Sequence, residues 1–169
     1  MKKISFFLLI LSLNSQIYGQ NRVVPTKFPT EFAENFKITL GSKVLLQLLE
    51  KTNGKYDYKI LSIEPIDGYY SFKKNEELFA KEPQKNTIEI FFLGAFYNEG
   101  KSDKDFKSLL MLRSNLENPL NYKADIKYYY KNEFESTSVF EAFPGTRMDE
   151  IWAIKIEFLT LHNFEILKK

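Results

Sequence analysis

The segment that most constrains the fold is NTIEIFFLGAF, residues 86–96. Apolar side chains occupy both odd- and even-numbered positions of this segment. Because successive side chains of a strand point to opposite faces, a strand built from it is apolar on both faces. Such a strand has to lie inside a sheet and be covered on each side. The segment therefore predicts a central strand in a protein with packed layers.

The clearest turn signal is KTNGK, which lies between VLLQLLE (44–50) and YDYKILSI (56–63). Asn53 and Gly54 readily adopt the positive φ angles that a two-residue type I′ turn requires. Since both flanking segments read as strands, this part of the chain predicts a β-hairpin.

Along residues 122–131, every second residue is apolar or aromatic, and the residues between them are mostly charged. The alternation predicts a strand in which Tyr128 and Tyr130 face the core, while Tyr129 faces solvent among lysines. On a regular strand, three consecutive tyrosines cannot form one shared surface. This interpretation makes Tyr129 the only outward ring of the three.

Short strands separated by polar turns fill the rest of the chain. Further strands are predicted at 106–117, 137–143 and 152–167. One short helix is predicted at 76–81, because Asn75 can cap it and Pro83 would stop it. We therefore predict an all-β protein, an antiparallel β-sandwich with one short helix.

The layout from residue 86 onward resembles an immunoglobulin-type sandwich. The chain has no cysteine, so the Cys–Trp–Cys pattern of true immunoglobulin domains is missing. The resemblance therefore concerns architecture and implies no function.

The chain opens with Lys2 and Lys3, continues with an apolar run from Ile4 to Leu13, and reaches a small residue at Gly19. This is the layout of a secretory signal peptide cleaved near Gly19. The run is too short for a membrane span, which takes roughly 20 residues. We expect export to the periplasm or the extracellular space, with no transmembrane segment in the mature chain.

The predicted domain organisation follows from this cleavage. A signal peptide covers residues 1–19, an extended N-terminal arm covers 20–35, and a single β-sandwich domain covers 36–169. Cleavage would remove two of the 24 basic residues and none of the 22 acidic ones, which leaves 22 of each. A chain without net charge offers no general attraction to nucleic acid, so we expect no nucleic-acid partner.

Few residues suggest chemistry. His162 is the only histidine, and no serine stands in a G-x-S-x-G setting. With no cysteine and one histidine, a zinc site is poorly supported. We predict no catalytic residue, no metal and no cofactor. His162, in the last strand, is expected to be partly buried and hydrogen-bonded within the sheet, unless a bulge turns it outward.

Two aromatic residues are the candidate ligand contacts. Tyr129 qualifies because the alternation points it outward. Trp152, the only tryptophan, qualifies because it follows the polar turn PGTR and adjoins Asp149 and Glu150. An aromatic ring beside hydrogen-bonding groups suits a sugar or an extended peptide.

We expect an exported, non-enzymatic β-sandwich protein that binds an envelope protein, a peptide or a glycan. One alternative is a small envelope hydrolase that acts on glycan or lipid with a carboxylate pair near Trp152, drawn from Glu141, Asp149 and Glu150. Another is a structural or assembly subunit that pairs through a strand edge. A cleft holding two carboxylates would favour the hydrolase, and an unpaired strand with few lysines would favour assembly.

Overall fold

The computed structural model of the chain describes residues 36–98, 100 and 103–167. The signal peptide predicted at 1–19 and the arm predicted at 20–35 lie outside the described residues. Among those described, no helix has the length and apolar character needed to cross a membrane.

Ten β-strands and two short 3₁₀ turns form the described part of the chain. The strands are β1 (Lys37–Thr39), β2 (Ser42–Glu50), β3 (Tyr56–Pro65), β4 (Tyr70–Ser71), β5 (Thr87–Phe96), β6 (Phe106–Ser114), β7 (Leu120–Tyr128), β8 (Glu135–Ala142), β9 (Arg147–Trp152) and β10 (Ile156–Ile166). The 3₁₀ turns are Thr52–Gly54 and Asp103–Asp105.

The strands form two sheets that pack face to face. The first sheet has the order β1-β10-β7-β8, and the second has the order β3-β2-β5-β6-β9. All these neighbours are antiparallel, and β4 adds a short parallel pairing to the end of β5. The predicted antiparallel β-sandwich is confirmed.

The main core fills the space between the sheets. Phe92 and Leu110 enter it from the second sheet, and Tyr122 and Phe164 enter it from the first. All four side chains are almost completely buried. Burying a leucine or phenylalanine side chain stabilises the fold by roughly 1.5–3 kcal/mol, so this cluster holds the two sheets together without disulfides.

Strand β5 is the central strand that the apolar run at 86–96 predicts. It lies between β2 and β6 and is buried along nearly its whole length. One face belongs to the main core. The other face, which carries Phe91 and Leu93, is covered by a second apolar cluster that includes Phe79.

A segment without regular structure supplies that cover. We call residues 72–86 the outer strap. Its Phe79 ring meets Phe91 edge-on, with ring centroids 5.0 Å apart. Beneath the strap, Glu89 is buried at 3% exposure and its carboxylate lies 2.8 Å from an Arg113 guanidinium nitrogen. The Ala80 N–H donates to Glu89, and its carbonyl accepts from Arg113 at 2.7 Å.

The helix predicted at 76–81 is wrong, since these residues lie in the outer strap and form no helix. Asn75 has a φ of 47°, which is outside the helical region. The Phe79 N–H donates to the Glu77 side chain, and the Ala80 N–H donates to buried Glu89 as described above. These donors bind carboxylates instead of helical carbonyls, so tertiary contacts override the local capping signal.

The hairpin prediction is confirmed in position and in its residue chemistry. Asn53 and Gly54 have φ angles of 74° and 70°. The turn contains three residues instead of two, and the Lys51 N–H closes it by donating to the Lys55 carbonyl at 2.7 Å. This tip extends from the second sheet towards the first.

Candidate ligand-binding cavity

Two irregularities in β10 decide where the only histidine lies. The pairing of β10 with β7 shifts register between Ile156 and Phe158, and again between His162 and Glu165. In the second shift Asn163 adopts a φ of 54°, which a β-bulge accommodates. Leu161 and Phe164 are therefore both buried, and His162 lies on the outer face.

The floor of a cavity forms on this outer face of the first sheet. Lys123 of β7 stands directly opposite His162 of β10 and opposite Val139 of β8. Directly opposed residues on antiparallel strands share a face, so these three side chains are neighbours. Asn121, two residues before Lys123, extends the same floor and stands opposite Glu165.

The wall of the cavity is the hairpin tip between β2 and β3. Strand β1 pairs with β10 only from Phe158 to Thr160. Beyond β1, Lys55 of the tip forms a bridge with Glu165. Lys51, Tyr56 and Asp57 of the hairpin line the opening, and the cavity volume is about 520 Å³. The cavity thus joins the hairpin tip to strand β10, which are about a hundred residues apart in the chain.

The cavity is lined by both cationic and anionic side chains. Lys51 and Asp57 form an ion pair at 2.5 Å. Lys55 and Lys123 form no ion pair with any residue that the structure describes. The lining includes three lysines against the two carboxylates of Asp57 and Glu165, so its net charge is +1 with His162 neutral (3 − 2).

Two buried polar atoms of the floor, Oδ1 of Asn121 and Nε2 of His162, make no hydrogen bond with the described residues. The Asn121 Oδ1 atom is buried and accepts no hydrogen bond from the described residues. A buried acceptor without a donor costs about 1–3 kcal/mol. A ligand hydroxyl or a bound water would satisfy this oxygen.

Tyr56 contributes an aromatic ring with a neutral hydroxyl. Burial raises the pKa of Tyr56, and the nearby Glu50 carboxylate raises it further. Its phenol therefore stays protonated at neutral pH and can donate a hydrogen bond.

His162 is paired, although not in a catalytic geometry. Its Nε2 atom lies 3.2 Å from Oδ2 of Asp125, but the angles do not meet hydrogen-bond geometry. The contact is therefore an ion pair only while the ring carries its second proton. Ser136 donates to Oδ1 of the same aspartate at 2.6 Å. In a nucleophilic triad the serine donates to the histidine, and here it donates to the carboxylate.

Tyr129, the first candidate contact, is exposed as predicted, but its neighbour Tyr130 is not where the alternation places it. Strand β7 ends at Tyr128, and Tyr129 and Tyr130 follow in a turn with 60% and 55% exposure. The expectation that Tyr130 faces the core is wrong, because a turn breaks the two-residue period. Tyr128 is half-buried against the core, as predicted.

The turn also brings the three rings together, contrary to expectation. Tyr130 stacks on Tyr128 with centroids 5.5 Å apart, and Tyr129 meets Tyr130 edge-on at 5.2 Å. The Lys131 ammonium lies 5.5 Å from the Tyr128 ring centre. We call Tyr128, Tyr129 and Tyr130 the tyrosine group, which lies at the opposite end of β7 from Asn121.

Trp152, the second candidate contact, is the last residue of β9 and is half-buried against the main core. It belongs to the second sheet, whereas Tyr129 follows a strand of the first. Neither residue lines the cavity. Beside Trp152, Arg147 holds the Asp149 carboxylate through two hydrogen bonds of 2.6 Å.

Sequence reasoning did not select the cavity residues Asn121, Lys123 and the hairpin tip. Each of them reads as an ordinary polar surface position. The available signal was the Asn163 that follows the lone histidine, because asparagine tolerates the positive φ of a bulge. The neighbourhood of His162 and Lys123 depends on strand register, which the sequence does not display.

No metal site is apparent in this part of the protein: within residues 36–98, 100 and 103–167, no three His, Cys, Asp or Glu side chains are grouped to hold an ion. No family model, curated protein or solved structure matches this chain.

Proposed function

We propose that the protein is an exported, non-enzymatic binding protein of the envelope, and that it recognises an acidic sugar residue of a glycan in the cavity. The observation that carries this proposal is a cavity of about 520 Å³ that is lined by lysines, carboxylates, amides and aromatic rings. Binding sites for small molecules are commonly 300–1,000 Å³ in volume.

The chemistry of the lining suits a sugar. A pyranose presents hydroxyls that donate and accept, and one apolar face. Asn121 and Asn163 supply amides, Asp57 and Glu165 supply acceptors, and Tyr56 supplies a ring. The unpaired Asn121 oxygen is an acceptor that a sugar hydroxyl would satisfy.

The charge of the lining favours a sugar that carries a carboxylate. Lys55 and Lys123 have no acidic partner among the described residues, and Lys123 stands next to His162. A carboxylate bound between these side chains would be hydrogen-bonded by cationic donors. A neutral sugar would leave both ammonium groups to water.

Export supports an envelope glycan as the source of this sugar. The signal-peptide pattern at residues 1–19 directs the chain to the compartment where such polymers occur. The absence of cysteine agrees with a fold held by its core alone. Both points rest on the sequence.

The test is calorimetric titration of the purified protein with oligosaccharides that contain uronic acid. The matched ligands are the same oligosaccharides with the carboxyl group reduced to an alcohol. We expect the acidic form to bind and the Lys123→Ala variant to lose about tenfold in affinity, which corresponds to about 1.4 kcal/mol. Lys59→Ala is the control, since Lys59 is an exposed lysine of β3 outside the cavity.

Three results would contradict parts of the proposal. Equal binding of the reduced sugar would remove the role of the carboxylate. Binding that survives Lys123→Ala but is lost in Tyr129→Ala would move recognition to the tyrosine group. Release of new reducing ends from the oligosaccharide would show hydrolysis and would favour the carboxylate-pair enzyme.

A further inference from the structure

One edge of β9 is not paired with any strand that the structure describes, and β9 contains no lysine. In the described part of the chain β9 pairs with β6 alone, over Arg147 to Trp152, with no register shift. Its backbone groups on the other side are therefore available as donors and acceptors. Natural edge strands are often protected by lysines, prolines, bulges or inward-pointing charges. Strand β9 has no lysine, proline or bulge, and Glu150 is its one inward-pointing charge.

The other long edge of the sandwich near it is different. Strand β8 also lacks lysine, but its pairing with β7 shifts register between Lys123 and Asp125. Such a bulge twists a strand and interrupts the row of free backbone groups. A partner strand therefore fits β9 better than β8.

The side chains along β9 combine apolar and acidic character. Ile151 of β9 and Ile154, two residues after the end of the strand, are each 43% exposed. Trp152 is half-buried against the main core on the opposite face from Ile151. Glu150 makes no ion pair with any described residue. Its pKa is raised by burial and secondarily by Asp149, which means that its charge lacks compensation.

A second copy of this chain is a poor occupant of the edge. Opposed residues of an antiparallel pair share a face, so a two-fold pairing of β9 with itself matches residues two, four or zero positions apart. Its two longest registers, of five residues each, place Asp149 opposite Asp149 or Glu150 opposite Glu150. Like charges directly opposite each other destabilise a strand pair.

We propose that the free edge of β9 binds an extended segment of another protein, which adds a strand to the second sheet and places a lysine or arginine opposite Glu150. Backbone hydrogen bonds give such strand addition its affinity, and alternate side chains give it specificity. The basic residue compensates the Glu150 carboxylate, and an apolar residue of the segment covers Ile151 on the opposite face of the strand.

The probe is a synthetic peptide that alternates lysine with valine, and Trp152 is the reporter because it is the only tryptophan. We expect saturable binding that changes Trp152 emission, shifts the amide NMR signals of β9 and slows their hydrogen exchange. The same peptide with glutamate in place of lysine should bind about tenfold more weakly. N-methylation of alternate peptide nitrogens should abolish binding, since it removes backbone donors.

Variants of the protein test the charge. Glu150→Lys should weaken the lysine peptide by about tenfold and strengthen the glutamate peptide, while Glu150→Gln, a milder change, should weaken it by about threefold. Glu141→Lys on β8 carries the same charge change on the bulged edge. It should alter affinity by less than about twofold in physiological salt.

Five outcomes overturn the proposal. The first three are undiminished binding of the N-methylated peptide, amide shifts confined to strands other than β9, and equal effects of Glu141→Lys and Glu150→Lys. The fourth is slow exchange at the outer edge of β9 before peptide is added, and the fifth is a concentration-dependent dimer in sedimentation, because in both cases the edge would already be occupied.

Discussion

Tyr122 and Tyr130 belong to the same short stretch of chain and lie in opposite environments. Tyr122 is 1% exposed and stacks between Phe140 and Phe164 in the main core. Tyr130 is 55% exposed and lies in the turn after β7. Since both residues are tyrosines, the difference comes from the packing around them and not from the residue type.

Replacement of each ring by alanine measures this difference. Tyr122→Ala should lower the free energy of unfolding by about 3–5 kcal/mol, because it leaves a cavity in a packed core. Tyr130→Ala should change it by less than about 0.5 kcal/mol, as surface changes usually do. Urea denaturation followed by circular dichroism checks both, and equal losses would show that the tyrosine group is part of the core.

The folded state disfavours the ionised form of the Glu150 carboxyl group. Burial raises its pKa above the ordinary 4.5, and Asp149 adds to the effect. A carboxyl group with a raised pKa in the folded state stabilises the fold below its unfolded pKa, and this stabilisation is lost as the pH rises through the folded pKa.

Glu150→Gln should therefore stabilise the isolated protein at pH 7 by up to about 1 kcal/mol, a modest gain since the group is partly exposed. The gain should disappear at pH values below about 4, where the native carboxyl group is already neutral. Thermal unfolding at both pH values measures the effect. A stabilisation that persists at acidic pH would have another cause.

At the scale of elements, a buried ion pair and the Phe79 ring attach the middle of the outer strap to the second sheet. Glu89 of β5 and Arg113 of β6 are directly opposed across the strands. Arg113 also lies over the Phe79 ring at 4.8 Å and donates to the Ala80 carbonyl. The same two charged residues thus join two strands and hold the strap.

Removal of one residue of the Glu89–Arg113 ion pair should lower the free energy of unfolding. Arg113→Met leaves the buried Glu89 carboxylate with only the Lys43 ammonium, 3.9 Å away. Loss of one partner of a buried ion pair typically costs about 3–5 kcal/mol, and because Lys43 remains we expect a cost of about 3 kcal/mol. The strap should loosen first, so trypsin should cleave faster at its exposed lysines, which are Lys73, Lys74, Lys81 and Lys85.

The double variant Glu89→Leu with Arg113→Met is the matched control. It removes both charges together and should recover most of the stability, because an apolar pair often replaces a buried ion pair without loss. Cleavage that begins outside residues 72–86 would contradict the assigned role of the pair.

At the scale of the whole molecule, the all-β sandwich follows from the sequence, and export remains a prediction. The immunoglobulin-type resemblance also remains a prediction. The mass of protein recovered from the envelope or the medium should match a chain that begins near Gln20. Recovery of the full-length chain from the cytoplasm would contradict export.

The sequence by itself determined the elements whose signals are local. The apolar run at 86–96 specifies a doubly covered strand, Asn53-Gly54 specifies a hairpin, and the alternation up to Tyr128 specifies which face of β7 is buried. Each of these depends on residues within a few positions of one another, where the two-residue period and the turn chemistry act directly.

Only the tertiary structure decided the cavity, the tyrosine group and the absence of a helix at 76–81. The register shift after Ile156 turns His162 to the outer face, and the bulge at Asn163 returns Phe164 to the core. The register between β7 and β10 brings His162 beside Lys123. Burial of Phe79 against the sheet overrides the capping signal of Asn75. These outcomes depend on contacts between segments far apart in the chain, whose energies no local pattern contains.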